Sequence, residues 1–336
     1  MKLATLRCET ADGRLLVVSR DLRQAVLATS IVTTMQQALE QWQRVEAPLR
    51  ELYQQLNQGL CSDAIVFSPQ DCAPPLPRAY QWLDASSFSN HGQLMQQAFH
   101  LPPIEDADRT PLMYQGASDD FIGATDPIQL PSEDHGIDFE GEFFVLLDAV
   151  PMGCNASDAC GHIKLVGLLN DVSLRALAPR EMRNGFGFVQ AKPATSFASV
   201  VVTPDELGEA WIDERVHLDL QVRWNDKWFG HPNGREMTFS FARLIEHAAM
   251  TRRLCAGTLL GSGTVSNRDP DVGCACISER RALEMIKFGS PRTPFMSFGD
   301  RISMEVLGTD GESVFGCIDQ PVVQYLCVPQ PRGVAP

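Results

Sequence analysis

Two glutamates stand one residue apart at the entrance to an apolar run of the sequence. Glu140 and Glu142 lead into residues 143–147, Phe-Phe-Val-Leu-Leu, which is typical of a buried strand. On a strand, side chains at positions i and i+2 point to the same face, so the two carboxylates would lie side by side. Burying two like charges is costly unless something offsets it. A hard divalent cation such as Mg²⁺ or Ca²⁺, which takes oxygen ligands, would do so.

Two further acidic residues elsewhere in the chain also offer carboxylate oxygens to a divalent cation. Asp171 follows the apolar residues 163–169, and Asp84 follows a Trp-Leu pair. Neither acid is distinctive alone, because an Asn-Asp pair at a strand end can equally cap a turn. Together with Glu140 and Glu142 they predict an all-oxygen site for a divalent cation, Mg²⁺ or Ca²⁺.

The composition narrows the class of protein. A chain of 336 residues usually holds about two domains. Its net charge of −14 argues against a nucleic-acid partner, which would need clustered Lys and Arg. No run of about 18 apolar residues and no signal-peptide pattern is present, so we expect no membrane span and a cytoplasmic location. The ten cysteines lack zinc-type spacing and are expected to be reduced thiols.

The N-terminal part predicts a small domain of strands and helices over residues 1–75. Asp12-Gly13 lies between apolar runs, which indicates a hairpin. Apolar residues recur every three or four positions over residues 34–58 and predict an amphipathic helix, which Pro48 should kink or restart. Residues 66–78 carry four prolines and are interpreted as a linker.

The larger part, residues 76–330, alternates short apolar runs with turns, and residues 331–336 are predicted to be a disordered tail. Strands outnumber possible crossover helices, which argues against a doubly wound parallel sheet and predicts a mostly β, α+β fold with mixed sheets. The expected helices are residues 157–161, 180–184, 241–250 and 278–286. The expected strands are residues 143–147, 163–169, 199–202, 216–222, 258–261, 301–306 and 313–318.

Over about residues 79–320 the sequence resembles the fumarylacetoacetate hydrolase family. Several separated motifs fall in the family's order. They are Asp84 with His91 seven residues later, Tyr114-Gln-Gly116, Glu140-x-Glu142, Asn170-Asp171-x-Ser-x-Arg175, Lys192, Gly261-Ser-Gly-Thr264 and Glu279.

The resemblance implies a C-terminal β-sandwich or β-roll of the fumarylacetoacetase type, a homodimer and a role for each motif. His91 would be the general base that activates water, and Glu279 would orient it. Lys192 would stabilise an oxyanion. The substrate-binding residues would be Tyr114, Arg175 and Thr264, and the metal ligands would be Asp84, Glu140, Glu142 and Asp171.

The resemblance also implies an activity, the hydrolysis of a carbon–carbon bond in a small β-diketo acid. Fumarylacetoacetate, cleaved to fumarate and acetoacetate in tyrosine and phenylalanine breakdown, is the leading substrate. Fumarylpyruvate or another acylpyruvate is an alternative, as is decarboxylation, isomerisation or hydration of a 2-oxo acid, or a binding protein with a structural ion. The exact substrate stays open because four positions depart from the family pattern: Ser86, His100, Ala178 and Thr195.

Overall fold

The computed structural model describes residues 1–326. The predicted tail at residues 331–336 and the end of the predicted catalytic domain at residue 330 lie outside the described residues. The helices are α1 Met35–Glu40, α2 Trp42–Asn57, α3 Ser89–Phe99, α4 Ala156–Ala159, α5 Ala178–Asn184, α6 Phe241–Ala249 and α7 Ile277–Phe288.

The strands of the described residues form four sheets. In chain order they are β1 Lys2–Leu6, β2 Arg14–Val18, β3 Gln24–Leu27, β4 Ile65–Val66, β5 Cys72–Ala73, β6 Gln81–Ala85, β7 Met113–Gly116, β8 Ile128–Leu130, β9 Ile137–Asp138, β10 Gly141–Leu147, β11 Ile163–Asn170, β12 Ser173–Leu174, β13 Ser196–Phe197, β14 Val200–Val202, β15 Trp211–Ile212, β16 Arg215–Val216, β17 Leu220–Trp224, β18 Lys227–Gly230, β19 Thr258–Gly261, β20 Arg301–Val306 and β21 Ile318–Gln324.

The largest sheet has 12 strands in the order β4-β3-β2-β1-β14-β11-β10-β19-β6-β7, with β5 beside β1 and β13 beside β11. A five-stranded sheet has the order β18-β17-β20-β21-β8, and two small ribbons pair β12 with β9 and β15 with β16. Antiparallel pairs dominate, but β19 runs parallel to β6 and β21 parallel to β8. The predicted α+β fold with mixed sheets is confirmed.

Strand β10 is buried on both faces of the large sheet, which explains its continuous apolar sequence. The odd-numbered residues 143–147 pack into one hydrophobic core. Phe144 and Leu146 pack on the opposite face into a second core, which also holds the apolar side chains of α1 and α2. Because side chains alternate along a strand, Glu142 lies on the same face as Phe144.

The N-terminal segment shares the large sheet with the rest of the chain, since β1 pairs with β14 and opposes Lys2 to Val202. The predicted hairpin is confirmed by the antiparallel pairing of β1 and β2, and Gly13 in its turn has a φ of 60°. The proline-rich residues 66–78 are not a free linker. Strand β5 pairs with β1 within this segment, and residues 72–76 are buried.

The predicted helix over residues 34–58 is two helices that meet at Gln41. The prediction that a second helix starts at Pro48 is wrong, because α2 starts at Trp42 and Pro48 lies inside it, whereas a kink at Pro48 stays a prediction. Val45 and Leu49, on either side of the proline, are both buried. Packing of this apolar face maintains the helix although the proline removes one backbone hydrogen bond.

Most of the other predicted elements are found. The predicted helices correspond to α4, α5, α6 and α7, and α3 was not predicted. Residues 216–222 divide between β16 and β17, and the remaining predicted strands before residue 313 correspond to β10, β11, β14, β19 and β20. Within residues 1–326, none of the helices is long and apolar enough to cross a membrane.

The predicted strand at residues 313–318 is wrong, because β21 begins only at Ile318. The apolar pattern did not predict β21 because a polar residue occupies one of its inward positions. Gln320 is fully buried, and its amide donates hydrogen bonds to the carbonyl oxygens of Gly123 at 2.9 Å and Asp126 at 2.7 Å. These bonds offset the cost of burying the NH₂ group of this amide.

Candidate active site

Neighbouring strands of the large sheet bring acidic side chains to one place. Strand β11 ends just before Asp171, β10 carries Glu142, and β6 carries Asp84. Strand β19 lies between β10 and β6, and its register opposes Gly261 to Asp84. On the other side of β6, Tyr114 of β7 also opposes Asp84. Because Gly261 has no side chain, the space between the strands stays open for the carboxylates.

Asp84, Glu142 and Asp171 form a buried carboxylate cluster, each offering an oxygen within 4.8 Å of the others. Asp84 is 4% exposed, and the other two acids are fully buried. Oδ1 of Asp84 and Oε1 of Glu142 have no hydrogen-bond partner among the described residues. Buried carboxyl oxygens without hydrogen-bond donors fit a hard divalent cation, which takes carboxylate ligands. This cluster is therefore the candidate metal site.

Burial and mutual repulsion raise the pKa values of two of these acids. Burial, reinforced by the charge of Asp171, raises the pKa of Asp84 to about 7. Burial and the charges of Asp84 and Asp171 raise the pKa of Glu142 well above its ordinary value. A cation among the three carboxylates would favour their ionised forms and relieve this repulsion.

Glu140, the predicted fourth ligand, faces two cationic side chains. Its Oε2 accepts a hydrogen bond from Nζ of Lys192 at 2.7 Å, and its Oε1 accepts one from Nη2 of Arg175. Burial alone would raise the pKa of Glu140, but the charges of Arg175 and Lys192 outweigh it and hold the pKa below its ordinary value. Metal ligation by Glu140 stays a prediction.

Lys192 connects Glu140 to the carboxylate cluster. Its Nζ also donates to Oδ2 of Asp171, at 2.6 Å, and the lysine is 8% exposed. The hydroxyl of Tyr114 donates to the same oxygen at 2.5 Å. Burial of Lys192 would lower its pKa, but Asp171 and Glu140 raise it above the ordinary value, so the ammonium form is stabilised. The structure thus brings three predicted site residues together around Asp171: Glu140, Lys192 and Tyr114.

The departures from the family pattern lie in different surroundings. Thr195 is buried, and its Oγ1 donates to Oδ1 of Asp171 at 3.0 Å, a contact that the sequence did not predict. Ser86 and His100 are exposed, and Ala178 is the first residue of α5. Thr195 is therefore the only one of the four that contacts the carboxylate cluster directly through a hydrogen bond among those found in residues 1–326.

The Gly-Ser-Gly-Thr loop runs beside the carboxylate cluster. The backbone N–H of Gly263 donates to Oε2 of Glu142 at 3.0 Å, and that of Val265 donates to the carbonyl of Gly141 at 3.0 Å. Gly263 has a φ of 81°, and a Cβ there would lie 2.2 Å from the carbonyl oxygen of Ala85. Thr264, between these anchored residues, is 6% exposed. The loop conformation therefore places Thr264 next to the candidate metal site.

His91 and Glu279 form the predicted pair. His91 lies in the first turn of α3, Glu279 in the first turn of α7, and Nδ1 of the imidazole is 2.9 Å from Oε2 of the carboxylate. The His91 side chain is 21% exposed and that of Glu279 is 2% exposed. The sulfur of Cys276 lies within 4.8 Å of both groups. A nearly buried carboxylate on Nδ1 favours the tautomer that leaves Nε2 free to accept a proton.

Backbone contacts tie this pair to the metal-site strands. Just before α7, Ala275 accepts a hydrogen bond from the N–H of Gly141 at 2.9 Å. Just before α3, the N–H of Ser87 donates to the carbonyl of Ser262 at 3.0 Å. Adjoining backbone segments thus hold the His91–Glu279 pair and the carboxylate cluster, which are the groups that a metal-assisted enzyme would need.

Two family models match the chain. Residues 81–323 match the family model described as "Fumarylacetoacetate (FAA) hydrolase C-terminal". Residues 1–78 match "Fumarylacetoacetase N-terminal domain 2". The chain therefore belongs to the fumarylacetoacetate hydrolase family, as its motifs predicted.

Two relatives of this chain are named for different activities. The 2,4-didehydro-3-deoxy-L-rhamnonate hydrolase of Sphingomonas sp. (strain SKA58) is 25% identical over 209 residues, which cover 61% of this chain and 65% of that protein. The mitochondrial oxaloacetate tautomerase fahd2 of Xenopus laevis is 24% identical over 218 residues, which cover 64% of this chain and 59% of that protein. The chain thus spans less than two thirds of the length of these relatives.

A solved structure shows the same fold. Maleylpyruvate hydrolase from Sphingobium sp. SYK-6, in complex with manganese(II) ion and pyruvate, has a TM-score of 0.64 and 16% identity. The match covers 97% of this chain and 100% of that chain. The likeness therefore extends over both the N-terminal and the C-terminal parts of the chain.

Proposed function

We propose that this protein is a divalent-cation-dependent hydrolase that cleaves the carbon–carbon bond between two carbonyl groups of a small β-diketo acid. The observation that carries this proposal is the His91–Glu279 pair, because a base that is oriented by a carboxylate serves to activate water. A reaction that only moves a proton along an enolate needs no activated water. The bound manganese ion and pyruvate of the related maleylpyruvate hydrolase support a cation-dependent reaction of a 2-oxo acid.

In the proposed reaction, Nε2 of His91 accepts a proton from a water molecule while Glu279 stabilises the imidazolium. The water oxygen adds to a carbonyl carbon, and the resulting oxyanion lies near the ammonium of Lys192. The carbon–carbon bond then breaks, and its electron pair leaves with the departing fragment as an enolate. The imidazolium of His91 returns the proton to the carbon of this fragment that held the broken bond. When bound to Asp84, Glu142 and Asp171, the cation would polarise the substrate oxygens and offset the enolate charge.

The proposed substrate is fumarylacetoacetate, with fumarylpyruvate as the nearest alternative. We propose that Tyr114, Thr264 and Arg175 contact the bound substrate, and that Lys192 faces the reacting carbonyl.

A second candidate function is the tautomerisation of a 2-oxo acid such as oxaloacetate. The matching oxaloacetate tautomerase favours it, because that relative and the rhamnonate-type hydrolase have nearly equal identity to this chain. The carboxylate cluster would serve either reaction, since both pass through an enolate. The two differ in whether water is incorporated into the product.

The test is a substrate panel with ¹⁸O-labelled water and Mg²⁺ or Mn²⁺. The panel contains fumarylacetoacetate, fumarylpyruvate, acetylpyruvate and oxaloacetate, and mass spectrometry detects the products. We expect cleavage of a diketo acid with one ¹⁸O in the new carboxylate. We also expect His91→Asn to lower kcat by about 10²- to 10⁴-fold. His100→Asn is the matched control, because His100 is exposed at the other end of α3.

Tautomerisation of oxaloacetate without cleavage of any diketo acid would refute the hydrolase proposal and favour the second function. We further propose a homodimer, a cytoplasmic location and a domain boundary near residue 75. Light scattering of the purified chain tests the first, and limited proteolysis tests the last.

A further inference from the structure

Asp138 lies between the start of α7, which carries Glu279, and Arg175, which contacts Glu140, and no sequence motif marked it. It is fully buried, two residues before Glu140. Oδ1 accepts a hydrogen bond from the N–H of Ile277 at 2.7 Å, and Oδ2 accepts one from the N–H of Ser278 at 2.9 Å. These are the first two residues of α7. The carboxylate of Asp138 therefore satisfies two of the N–H groups that a helix start leaves without partners.

The same turn of α7 carries Glu279, the partner of His91. The third N–H of the helix, that of Glu279 itself, donates to the sulfur of Cys276 at 3.3 Å. The first three N–H groups of α7 are thus held by Asp138 and Cys276, both buried. Because the Asp138 contacts and the Glu279 side chain lie within one helical turn, the cap determines where that carboxylate meets the imidazole.

Asp138 also reaches the opposite half of the site through Arg175. Nε of Arg175 donates to Oδ2 of Asp138 at 2.8 Å, and its Nη2 donates to Oε1 of Glu140. The planar guanidinium presents its donors in a rigid fork, so a shift at one carboxylate is transmitted to the other. Glu140 in turn contacts Lys192, which bridges to Asp171 of the carboxylate cluster.

We propose that Asp138 is a positioning residue that couples the His91–Glu279 base to the metal site by capping α7 and orienting Arg175. This inference rests on the proposed function for the role of the base. Its geometry requires a carboxylate, because three donors converge on two oxygens: the N–H groups of Ile277 and Ser278, and Nε of Arg175. An asparagine amide has one accepting oxygen, so its NH₂ group would face at least one of these donors.

The first test measures metal binding without turnover. We expect Asp138→Asn to weaken Mn²⁺ binding by about 10- to 100-fold in titration calorimetry, the usual effect of losing a residue that orients metal ligands. The matched control is Asp134→Asn, since Asp134 is an exposed acid on the same segment. Circular dichroism checks that each variant is folded.

The second test measures backbone exchange in the metal-free protein. We expect hydrogen–deuterium exchange in Asp138→Asn to become faster both in the first turn of α7 and around Glu140 and Arg175. Arg175→Lys is the second variant, because lysine keeps the charge but cannot contact both carboxylates as a fork. It should weaken Mn²⁺ binding in the same direction while it leaves the α7 cap in place.

Wild-type Mn²⁺ affinity in a folded Asp138→Asn protein would overturn the inference, as would faster exchange confined to α7. If Asp138→Asn does not fold, wild-type Mn²⁺ affinity in Arg175→Lys would overturn it. A wild-type chain that binds no Mn²⁺ would refute the proposed function instead, and the exchange pattern alone would then decide the coupling. The split between kcat and KM adds a separate readout at saturating Mn²⁺, because a base that has lost its orientation should lower kcat and leave KM near the wild-type value.

Discussion

The carboxylate cluster should destabilise the protein when no cation is bound, and Asp84→Asn tests this expectation. Asp84 lies against Glu142 and Asp171, and its pKa is raised from the ordinary 3.8 to about 7, first by burial and then by the charge of Asp171. This difference corresponds to about 4 kcal/mol of unfavourable free energy when Asp84 is ionised. The removal of its charge should therefore stabilise the metal-free fold, although it removes a metal ligand.

The sign of the pH dependence follows from the direction of the shift. The folded protein binds the Asp84 proton more tightly than the unfolded chain does, so this group lowers stability as the pH rises from about 4 to about 7. At about pH 8 we expect metal-free Asp84→Asn to be more stable than wild type by about 2–4 kcal/mol, and at about pH 4 we expect little difference. The expected gain in stability can fall below the full value of about 4 kcal/mol, because Glu142 can keep a proton in place of Asp84 and so reduce the repulsion.

Urea unfolding with a chelator, at both pH values, measures this difference. A cation at about 100 times its Kd should raise the free energy of unfolding of the wild-type protein by about 2.7 kcal/mol in the same urea titration. It should raise that of Asp84→Asn far less. Asp120→Asn, at an exposed acid, is the control. Equal stability of wild type and Asp84→Asn at the higher pH, without a cation, would show that repulsion in the cluster is not a significant cost.

Three further predictions concern the same site. Gly261→Ala would place a Cβ 2.4 Å from the ring of Trp82 and 2.6 Å from Oδ1 of Asp84, so it should lower the free energy of unfolding by about 1–3 kcal/mol and weaken Mn²⁺ binding; Gly161→Ala, with open space around it, should do neither in calorimetry. Lys192→Met removes the ammonium group that bridges the buried carboxylates of Glu140 and Asp171, and it should lower the free energy of unfolding by about 3–5 kcal/mol in chelator. Urea unfolding should show a smaller loss when Mg²⁺ is present. Equal losses in both conditions would contradict the placement of the ion. Wild-type protein treated with a chelator should lose turnover and regain it with Mg²⁺ or Mn²⁺, whereas full activity in chelator would exclude the metal from the reaction.

The site was predictable where residue type and strand pattern agreed. Glu142, Asp84 and Asp171 were identified from acids next to apolar runs and from family motifs, and the structure brings them together because β19 ends at a glycine between β10 and β6. Glu140 was expected to face the same way as Glu142. The sequence could not show that Arg175 and Lys192 would lie close enough to hold it, since those contacts span 35 and 52 positions.

The helix that carries His91 could not be predicted because its pattern is weak. Ala98 is the one buried residue of α3, so no apolar stripe marks the helix in the sequence. Strand β21 was not predicted for a different reason: the buried amide of Gln320 occupies a position where an apolar residue is expected. In both cases tertiary contacts, rather than local periodicity, stabilise the element.

The pairing of β1 with β14 affects whether the C-terminal family domain can be produced without the N-terminal one. A fragment that starts after residue 78 would lack β1. Strand β14, which lies inside the large sheet of the full chain, would become an edge strand whose backbone N–H and C=O groups face solvent. Val200, Val201 and Val202 would form an apolar, unpaired edge, which is a template for intermolecular strand pairing. The first strand thus protects the catalytic part from self-association, and we expect the isolated catalytic fragment to aggregate although it keeps every residue of the candidate site.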